Sequence, residues 1–367
     1  MEKVSLKYNV ESFLYKQILK PVCFSFEPEK VHNSFVKIGK SLGSYKLSKK
    51  VTSALFNYQN PMLEQDILGI HFKNPIGLSA GFDKNAELID IMGDIGFGFV
   101  EVGSITAKEC KGNNGVRLKR VPERNSLLVN LGLNNIGADA IKKKLMGKRY
   151  DIPFGVSIAY TNCKENSIDN NAIKDYIYSL RKLKDIGNYF TINISCPNTY
   201  GGQPFTRVEA YRKLITEVGK IKINKPIFLK ISPDLNRKTI DEILNISYEY
   251  GIKGIVCTNL TKKHDFSKGG MSGKYLEEKA NELLKYVYKK NKENNYGFVL
   301  VGVGGVFSAN DAYKKIKLGA NLVQLITGMI YNGPQLISEI NRNIVKMLKE
   351  ERYKNITEVV GIDNKQS

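Results

Sequence analysis

Residues 191–202 place a thiol between two amides at the point where an apolar run ends. The segment reads TINISCPNTYGG, so Cys196 lies between Asn193 and Asn198, and a glycine pair follows. A purely structural cysteine would lie within the apolar run, although an inert thiol packed under a loop is the alternative. A free thiol has a pKa of about 8.5, so part of it is thiolate at neutral pH and can accept a proton. The segment therefore indicates a reactive thiol flanked by hydrogen-bonding amides.

Two lysines lie within or directly after apolar runs. Lys230 lies inside the apolar run IFLKIS, and Lys84 follows the run GLSAGFD. Solvated surface lysines are the default for this residue type. An unpaired ammonium inside an apolar strand would be costly, so Lys230 needs an electron-rich partner. The pyrimidine ring of a flavin would serve, because the cation would stabilise the negative charge that a flavin gains on reduction.

Glycine-rich segments end two of the last apolar runs. Gly302, Gly304 and Gly305 close the run VGVGG, and Gly328 follows Thr327 at the end of NLVQLITG. In barrels of parallel strands, the loops after strands seven and eight usually form a phosphate site, with backbone N–H groups facing the anion. The pattern predicts a phosphorylated cofactor.

Eight short β-branched runs must position these side chains. They span residues 74–81, 97–104, 153–159, 189–195, 225–232, 253–259, 298–305 and 321–328. Amphipathic segments lie between them, for example 171–185, 206–221, 237–250 and 308–318. Nearly continuous apolar strands that alternate with helices indicate a parallel sheet covered on its outer face. Eight such units over roughly 250 residues predict an α/β fold of the (β/α)8 TIM-barrel type rather than a doubly wound sheet.

The first residues do not follow this alternation. We predict an N-terminal helical extension over residues 1–70, a barrel over 71–350 and a C-terminal tail over 351–367. Within the extension, apolar residues recur at helical spacing in three groups: Val10, Phe13, Leu14 and Ile18; Val31, Phe35, Ile38 and Leu42, preceded by Pro28; and Leu47, Val51 and Leu55. These helices either pack under the amino-terminal end of the barrel or lie on a lipid surface. Seven lysines would assist the second arrangement: Lys16, Lys20, Lys37, Lys40, Lys46, Lys49 and Lys50.

The composition is that of an ordinary soluble α/β protein, with 42% hydrophobic residues. No apolar stretch approaches the roughly 20 residues of a membrane-spanning helix, and charges interrupt the N-terminal runs, so we expect no signal peptide and a reducing compartment. Five scattered cysteines without a CxxC pair predict no metal. The formal net charge of +20 is spread along the chain without a nucleic-acid motif, so nucleic acid is not an expected partner.

Six segments together resemble the dihydroorotate dehydrogenase family. They are NPIGLSAGFDKN, FGFVEVGSIT, NLGLNNIGADAI, NISCPNT, GGMSGK and VGVGGV, in colinear order. The resemblance runs from about residue 10 to the C-terminus. It implies a barrel that binds FMN non-covalently and oxidises dihydroorotate to orotate in de novo pyrimidine synthesis.

The resemblance also implies the residues of the site. Residues that match FMN contacts are Ala80, Gly81, Lys84, Ser104, Ser157, Asn193, Lys230, Thr258, Gly273, Gly305, Ile326, Thr327 and Gly328. Residues that match orotate contacts are Lys84, Asn130, Gly132, Leu133, Asn193, Asn198 and Asn259. Orotate offers amides and a carboxylate, which asparagines and a lysine can bind together. Cys196 would then be the catalytic base that removes a proton from C5 of dihydroorotate while a hydride leaves C6.

The family divides into soluble and membrane-associated classes, and the chain has features of both. The extension with FEPEKVH, together with AGFDKN and EVGSIT, resembles the membrane class. Arg117 matches an arginine at the quinone end of that class, and His32 matches a histidine of its extension. Features that resemble the soluble class are Cys196, Leu133, the SIA at 157–159 and the C-terminal ERYKNITEVVGI. Ile326 replaces a tyrosine that is typical of the membrane class near the flavin. The dihydroorotate half-reaction is common to both classes.

The electron acceptor is the point on which the two classes differ. The extension favours a quinone and a peripheral position on the cytoplasmic side of the cell membrane. Without it, fumarate or, through an iron–sulfur partner, NAD would be preferred, and the protein would be cytoplasmic. A basic RNA- or lipid-binding module on an inactive barrel is a distant alternative, and an enzyme for another pyrimidine is a further one. The asparagine, cysteine and lysine set argues against the inactive barrel.

Overall fold

The structure is a computed structural model that describes residues 10–364. Residues 1–9 and 365–367, which include the beginning of the predicted extension and the end of the predicted tail, lie outside this range. Residues 10–14 are helical and continue through a π-helical turn at Tyr15–Leu19 into α1 (Lys20–Ser25), which precedes α2 (Pro28–Gly43) and α3 (Lys46–Phe56). Pro28 occupies the first turn of α2, where its missing N–H costs no hydrogen bond. The helical pattern predicted for this region is confirmed.

Eight parallel strands close into a barrel. In chain order, the strands of the protein are β1 (Gln65–Ile67), β2 (Ile70–Phe72), β3 (Ile76–Leu78), β4 (Phe99–Ile105), β5 (Leu118–Val121), β6 (Ser126–Val129), β7 (Phe154–Ile158), β8 (Tyr189–Asn193), β9 (Ile227–Ile231), β10 (Gly254–Cys257), β11 (Gly270–Met271), β12 (Val299–Val303) and β13 (Leu322–Leu325). The barrel consists of β3, β4, β7, β8, β9, β10, β12 and β13 in that order, and β13 pairs with β3. Each of the eight predicted runs overlaps one barrel strand, so the predicted (β/α)8 TIM barrel is confirmed.

Helices after the strands form the outer layer. They are α4 (Ile89–Ile95), α5 (Ala138–Leu145), α6 (Asp169–Leu183), α7 (Val208–Gly219), α8 (Arg237–Glu249), α9 (Glu277–Glu293), α10 (Ala309–Lys317), α11 (Thr327–Asn332) and α12 (Leu336–Glu350). Two short helical turns follow, at Ile356–Val359 and Ile362–Asn364. Ile356 and Val359 are fully buried, so the described part of the tail packs against the barrel body.

The hairpin β1–β2 covers the amino-terminal end of the barrel. Its Phe72 ring meets the Phe99 ring edge-on, with centroids 5.4 Å apart. Gly77 makes room for Phe99, because a Cβ at that position would lie 2.3 Å from the ring. Helices α2 and α3 pack against α4, and α2 also contacts β5. Lys49 of α3 pairs with Asp151, which precedes β7.

A small antiparallel sheet lies beside the carboxyl ends of the barrel strands. It consists of β5, β6 and β11, with β6 in the centre. Leu127 and Val129 of β6 line the main cavity described below, so this sheet forms one of its walls. No helix within residues 10–364 combines the length and the apolar character that crossing a bilayer requires.

Candidate active site

One cavity at the carboxyl ends of the strands collects most of the predicted residues. Its lining includes Ala80, Gly81, Lys84, Ser104, Gly132, Leu133, Asn193, Cys196, Asn198, Lys230, Asn259, Ile326 and Thr327. An adjoining cavity shares Ala80, Lys230, Asn259 and Thr327 with it and adds Thr258, Gly273, Gly305 and Gly328. We call the first the main cavity and the second the glycine-lined cavity. Residues separated by more than 200 positions in the sequence therefore meet in one continuous space.

The glycine-lined cavity is bounded by backbone from the ends of β12 and β13. Gly305 has a φ of +78° and Gly273 a φ of +82°, conformations that L side chains rarely adopt. A Cβ at Gly328 would lie 1.9 Å from the carbonyl oxygen of Val306, so only glycine permits this approach. Ser272 and Thr327 bring hydroxyls that are 2.8 Å apart. Backbone N–H groups, hydroxyls and the nearby Lys230 form a donor set suited to an anion such as phosphate.

Asn193 is the centre of a buried polar network at the end of β8. Its Nδ2 donates to Ser104 Oγ at 2.9 Å, and its Oδ1 accepts from Ser195 and from Asn259 Nδ2 at 3.2 Å. Ser157 contributes indirectly: its hydroxyl lies 2.7 Å from that of Ser104, and Ser157 itself does not line the cavities. The network holds two predicted amides at fixed orientations beside each other.

Lys230 is buried in the barrel, with 4% of its surface exposed. Its Nζ donates to Ser79 Oγ at 3.2 Å. Burial lowers the pKa of the ammonium, and the negative charges of Glu101 and of a Cys196 thiolate oppose that effect. Lys230 lies within the apolar strand Ile227–Ile231 and lines both cavities.

Cys196 faces the main cavity from the loop after β8. The thiol is partly exposed at the cavity, yet desolvation by the surrounding protein raises its pKa to about 11, and the nearby Lys230 lowers that pKa only in part. Lys230 therefore favours the thiolate, but not by enough to offset the loss of hydration. Desolvation outweighs the cation because the thiolate, like any anion, loses its hydration there.

Three side chains fasten the loop that carries Cys196. Asn113 Nδ2 donates to the carbonyl of Asn198 at 3.0 Å, and Asn162 Oδ1 accepts from the N–H of Tyr200 at 2.7 Å. The Tyr160 hydroxyl lies 2.7 Å from that of Thr199. None of the three fastening residues was predicted, because their partners are backbone groups or side chains far away in sequence. The loop is thus held over the cavity by two separate segments of the chain.

Asn130 is the one predicted orotate contact that does not line the main cavity. Its Oδ1 accepts from Asn113 Nδ2 at 2.9 Å, and its N–H donates to the carbonyl of Arg117. The neighbouring Val129, Leu131, Gly132 and Leu133 do line it. Asn130 therefore acts here on Asn113 and, through Asn113, on the loop over the cavity.

Lys84 and His32 lie at the boundary of the main cavity. Lys84 Nζ is 3.2 Å from His32 Nε2. Burial lowers the pKa of Lys84 to about 8, and burial together with the Lys84 charge lowers the pKa of His32 to about 3. His32 is therefore neutral at physiological pH, and Lys84 can lose its proton under mildly alkaline conditions.

A third, apolar cavity lies between the N-terminal helices and the barrel. Residues that line it include Val31, Phe35, Ile38 and Leu42 of α2 and Ile91, Met92 and Ile95 from α4. It shares five residues with the main cavity: His32, Phe82, Leu118, Leu127 and Ile330. The two spaces therefore meet at His32 and Phe82, whose rings pack edge-on with centroids 4.8 Å apart.

Arg120, rather than the predicted Arg117, lines the apolar cavity. Arg117 is held by Glu29, with Nε donating to Oε2 at 3.0 Å. The Arg120 guanidinium lies 4.5 Å from the centroid of the Phe24 ring, and its Nη1 donates to the Phe26 carbonyl at 2.7 Å. A single guanidinium in an apolar wall offers hydrogen bonds to a carbonyl oxygen of a ligand inside the cavity.

The sequence is similar to known proteins over most of its length. The family model described as dihydroorotate dehydrogenase matches residues 62–348. A Christiangramia forsetii protein named dihydroorotate dehydrogenase (quinone) is 37% identical over 350 residues, which cover 91% of this chain and 99% of that protein. A Helicobacter acinonychis protein of the same name is 38% identical over 363 residues, which cover 94% of this chain and 98% of its own.

Solved structures have the same architecture. The crystal structure of DHODH from Eimeria tenella in complex with ferulenol matches with a TM-score of 0.81 and 26% sequence identity, over 93% of this chain and 98% of that one. A ligand-free structure from the same organism matches with a TM-score of 0.77 and 27% identity, over 87% of this chain and 99% of that chain. The similarity therefore covers the arrangement of the chain as well as its sequence.

Proposed function

Because this chain belongs to the dihydroorotate dehydrogenase family, we propose that it oxidises dihydroorotate to orotate and passes the electrons to a quinone. This reaction serves de novo pyrimidine synthesis. The proposal rests on one observation, that the main cavity adjoins the apolar cavity under α2. The main cavity contains the thiol, the amides and the lysines. The relatives named for a quinone match more than 90% of the chain, so fumarate and NAD are not favoured as acceptors.

FMN is the flavin that best fits the residues of the site. The glycine-lined cavity, with Ser272 and Thr327, would hold its phosphate, and Lys230 with the Ser104–Asn193 network would hold its ring. When bound, FMN accepts the hydride that leaves C6 of dihydroorotate. Two features support a flavin over a cofactor without a reducible ring. One is a buried cation, Lys230, that no carboxylate of the described residues contacts directly, and the other is a dense set of amide hydrogen bonds.

The substrate would lie between the network of Asn193 and the loop after β8. Lys84 would bind the carboxylate of dihydroorotate, and Asn193, Asn198 and Asn259 would bind its ring amides. Cys196 would receive the C5 proton from the face opposite the flavin. The loop fastened by Asn113, Asn162 and Tyr160 would exclude water while this happens.

The test of this function offers the acceptors one at a time. The purified protein should be yellow, denaturation should release intact FMN, and dihydroorotate should bleach the flavin in the absence of oxygen. A quinone should then restore the colour, whereas fumarate and NAD should not. Protein that cannot be reconstituted with FMN would overturn the flavin assignment, and rapid recolouring by fumarate would overturn the quinone assignment.

Binding of orotate is expected to weaken as the pH rises above about 8. Burial lowers the pKa of Lys84 to about 8, so the charged form that binds a carboxylate is present below that pH and is lost above it. Affinity should fall about tenfold for each pH unit beyond the pKa. Titration of the flavin spectrum with orotate between about pH 6.5 and 9.5 measures this. The Lys84→Ala variant should bind weakly with no such dependence, and a wild-type affinity that is constant across the range would contradict the role of Lys84.

The N-terminal helices would attach the protein to an anionic membrane surface. Apolar side chains stay exposed on all three helical segments, among them Phe13 at 60%, Ile18 at 56% and Leu47 at 75%. Two of the seven lysines are engaged by acidic residues, Lys40 by Glu87 and Lys49 by Asp151. Exposed apolar area beside basic residues is the surface that binds lipid headgroups and acyl chains together.

Binding to vesicles with anionic lipids is expected to weaken with salt. Charges on a surface are screened over about 10 Å at 0.1 M ionic strength, whereas the apolar contribution is not. Sedimentation with vesicles at rising salt concentration measures the effect. The paired change of Phe13 and Leu47 to serine should release the protein at all salt concentrations, and unchanged sedimentation of that variant would count against the surface.

A further inference from the structure

Glu101 is a carboxylate enclosed inside the barrel, below the cavities. It has no exposed surface. Its Oε2 accepts three hydrogen bonds: from Thr191 Oγ1 at 2.9 Å, from Gln324 Nε2 at 3.1 Å and from Tyr189 OH at 3.3 Å. Its Oε1 has no hydrogen-bond partner among the described residues. Nothing in the proposed handling of the substrate uses this residue, although burying a carboxylate is costly.

The position of Glu101 relates it to Lys230. Glu101, Thr191 and Gln324 come from the second, fourth and eighth barrel strands, and Lys230 with its partner Ser79 comes from the fifth and the first. The interior of such a barrel consists of layers built from alternate strands. Lys230 pairs in register with Asn193, two residues beyond Thr191 on β8. The lysine therefore lies in the layer directly above the carboxylate, on the side of the cavities.

Within residues 10–364, neither of these two groups has a partner that would neutralise its charge by contact. Lys230 donates to a neutral hydroxyl, and Glu101 accepts from neutral donors at one oxygen only. The titratable groups that face Lys230 are Glu101 and the Cys196 thiol, and burial raises the pKa of that thiol to about 11. Cys196 is therefore uncharged at neutral pH. Glu101 is then the negative charge that compensates Lys230 before the flavin is reduced.

We propose that Glu101 is the buried counter-charge that keeps Lys230 protonated and thereby sets the reduction potential of the flavin. Glu101 is a positioning residue, since it acts through Lys230 and touches neither cofactor nor substrate. The inference rests on the proposed function only in that FMN is the group that faces Lys230. With Glu101 present, the cation is available to stabilise the negative charge that FMN gains on reduction.

The test measures the midpoint potential of the bound FMN against pH in the Glu101→Gln variant. Glutamine keeps the shape and removes the charge, so Lys230 should lose its proton at lower pH than in the wild type. Below that pH, the variant should have a higher potential than the wild type, because one negative charge is gone. Above it, the variant should have a lower potential, because the cation is lost as well. We expect the two curves of midpoint potential against pH to cross. Away from the crossing point, the potentials should differ by at least about 30 mV. For a two-electron couple, this is a tenfold change in the affinity for reduced FMN relative to oxidised FMN.

Three further variants separate charge from structure. Thr191→Val removes one hydrogen bond to Glu101 without removing charge, and Glu101→Asp keeps the charge, so neither should move the potential as Glu101→Gln does. In a Lys230→Met background, Glu101→Gln should no longer change the pH dependence, because the residue through which it acts is absent. Glu101→Met is a second neutral variant if the glutamine variant does not fold.

Two results would overturn the inference. One is a Glu101→Gln variant whose curve of potential against pH is that of the wild type. The other is a Lys230→Met background in which Glu101→Gln still changes the pH dependence of the potential as it does in the wild type. Failure of the protein to bind FMN at all is a different result, since it would contradict the proposed function and not the pairing of Glu101 with Lys230.

Discussion

The Cys196→Ala variant is expected to bind FMN and orotate normally and to react with dihydroorotate at least about a hundredfold more slowly than the wild type. General-base removal typically costs this much. Cys196 faces the main cavity from the loop after β8, and the amides expected to hold the substrate come from other positions, Asn193, Asn198 and Asn259. Loss of the thiol should therefore slow the proton transfer and leave binding intact.

The pH dependence of the reaction is a second test of the role of Cys196. Burial raises the pKa of the Cys196 thiol to about 11, so its thiolate fraction rises as the pH rises toward that value. Flavin reduction at saturating dihydroorotate should therefore accelerate steadily across the alkaline range. Cys196→Ser should be slower at every pH and should keep accelerating to higher pH, because a hydroxyl is a weaker acid than a thiol.

Stopped-flow measurement of flavin bleaching in the absence of oxygen provides both results. Cys163→Ala is a matched control, since Cys163 is a partly exposed thiol that does not line the main cavity. It should behave as the wild type does. Near-normal bleaching by Cys196→Ala would remove the thiol from the mechanism and leave it as a packed, inert residue.

The second large effect concerns the apolar cavity. Val31→Trp is expected to stop most of the quinone reduction while dihydroorotate still bleaches the flavin at its normal rate. Val31 lines the apolar cavity and does not line the main cavity. The indole would occupy space that the quinone needs, so we expect at least about a tenfold loss in the quinone half-reaction, or about 1.4 kcal/mol of binding free energy.

A matched substitution separates this effect from a general change in the N-terminal helices. Val51 is 52% exposed on α3 and does not line the apolar cavity. Val51→Trp should keep both half-reactions when a soluble quinone is used in detergent. Equal losses in the two tryptophan variants, or a Val31→Trp variant with full quinone activity, would contradict access through this cavity.

Much of the fold could be predicted because its signals are local. Strands such as Tyr189–Asn193 and Ile227–Ile231 are buried on both faces, so they appear as uninterrupted apolar runs. Lys230 could be recognised for the same reason, since a charge is conspicuous in such a run. Glu101 interrupts the run FGFVEVGS in the same way, and applying the rule used for Lys230 would have identified it.

The positions of other residues depend on distant partners and could not be predicted. Arg117 and Arg120 are three residues apart, and which of them lines the apolar cavity depends on Glu29 of α2, which holds Arg117. Asn130 differs from its neighbours because Asn113 binds its side chain. The raised pKa of the Cys196 thiol depends on the distant segments that pack around its loop, and a list of neighbouring residues does not show them.

The meeting of the two cavities at His32 and Phe82 has a consequence for kinetics. A compound in the apolar cavity and a compound in the main cavity occupy different volumes, so each competes with one reactant only. Orotate should compete with dihydroorotate and not with the quinone, and double-reciprocal plots with both reactants varied should give parallel lines. An inhibitor that fills the space under α2 would leave the pyrimidine site free and still stop turnover. The enzyme would remain reduced, because the quinone could not reach it to accept the electrons.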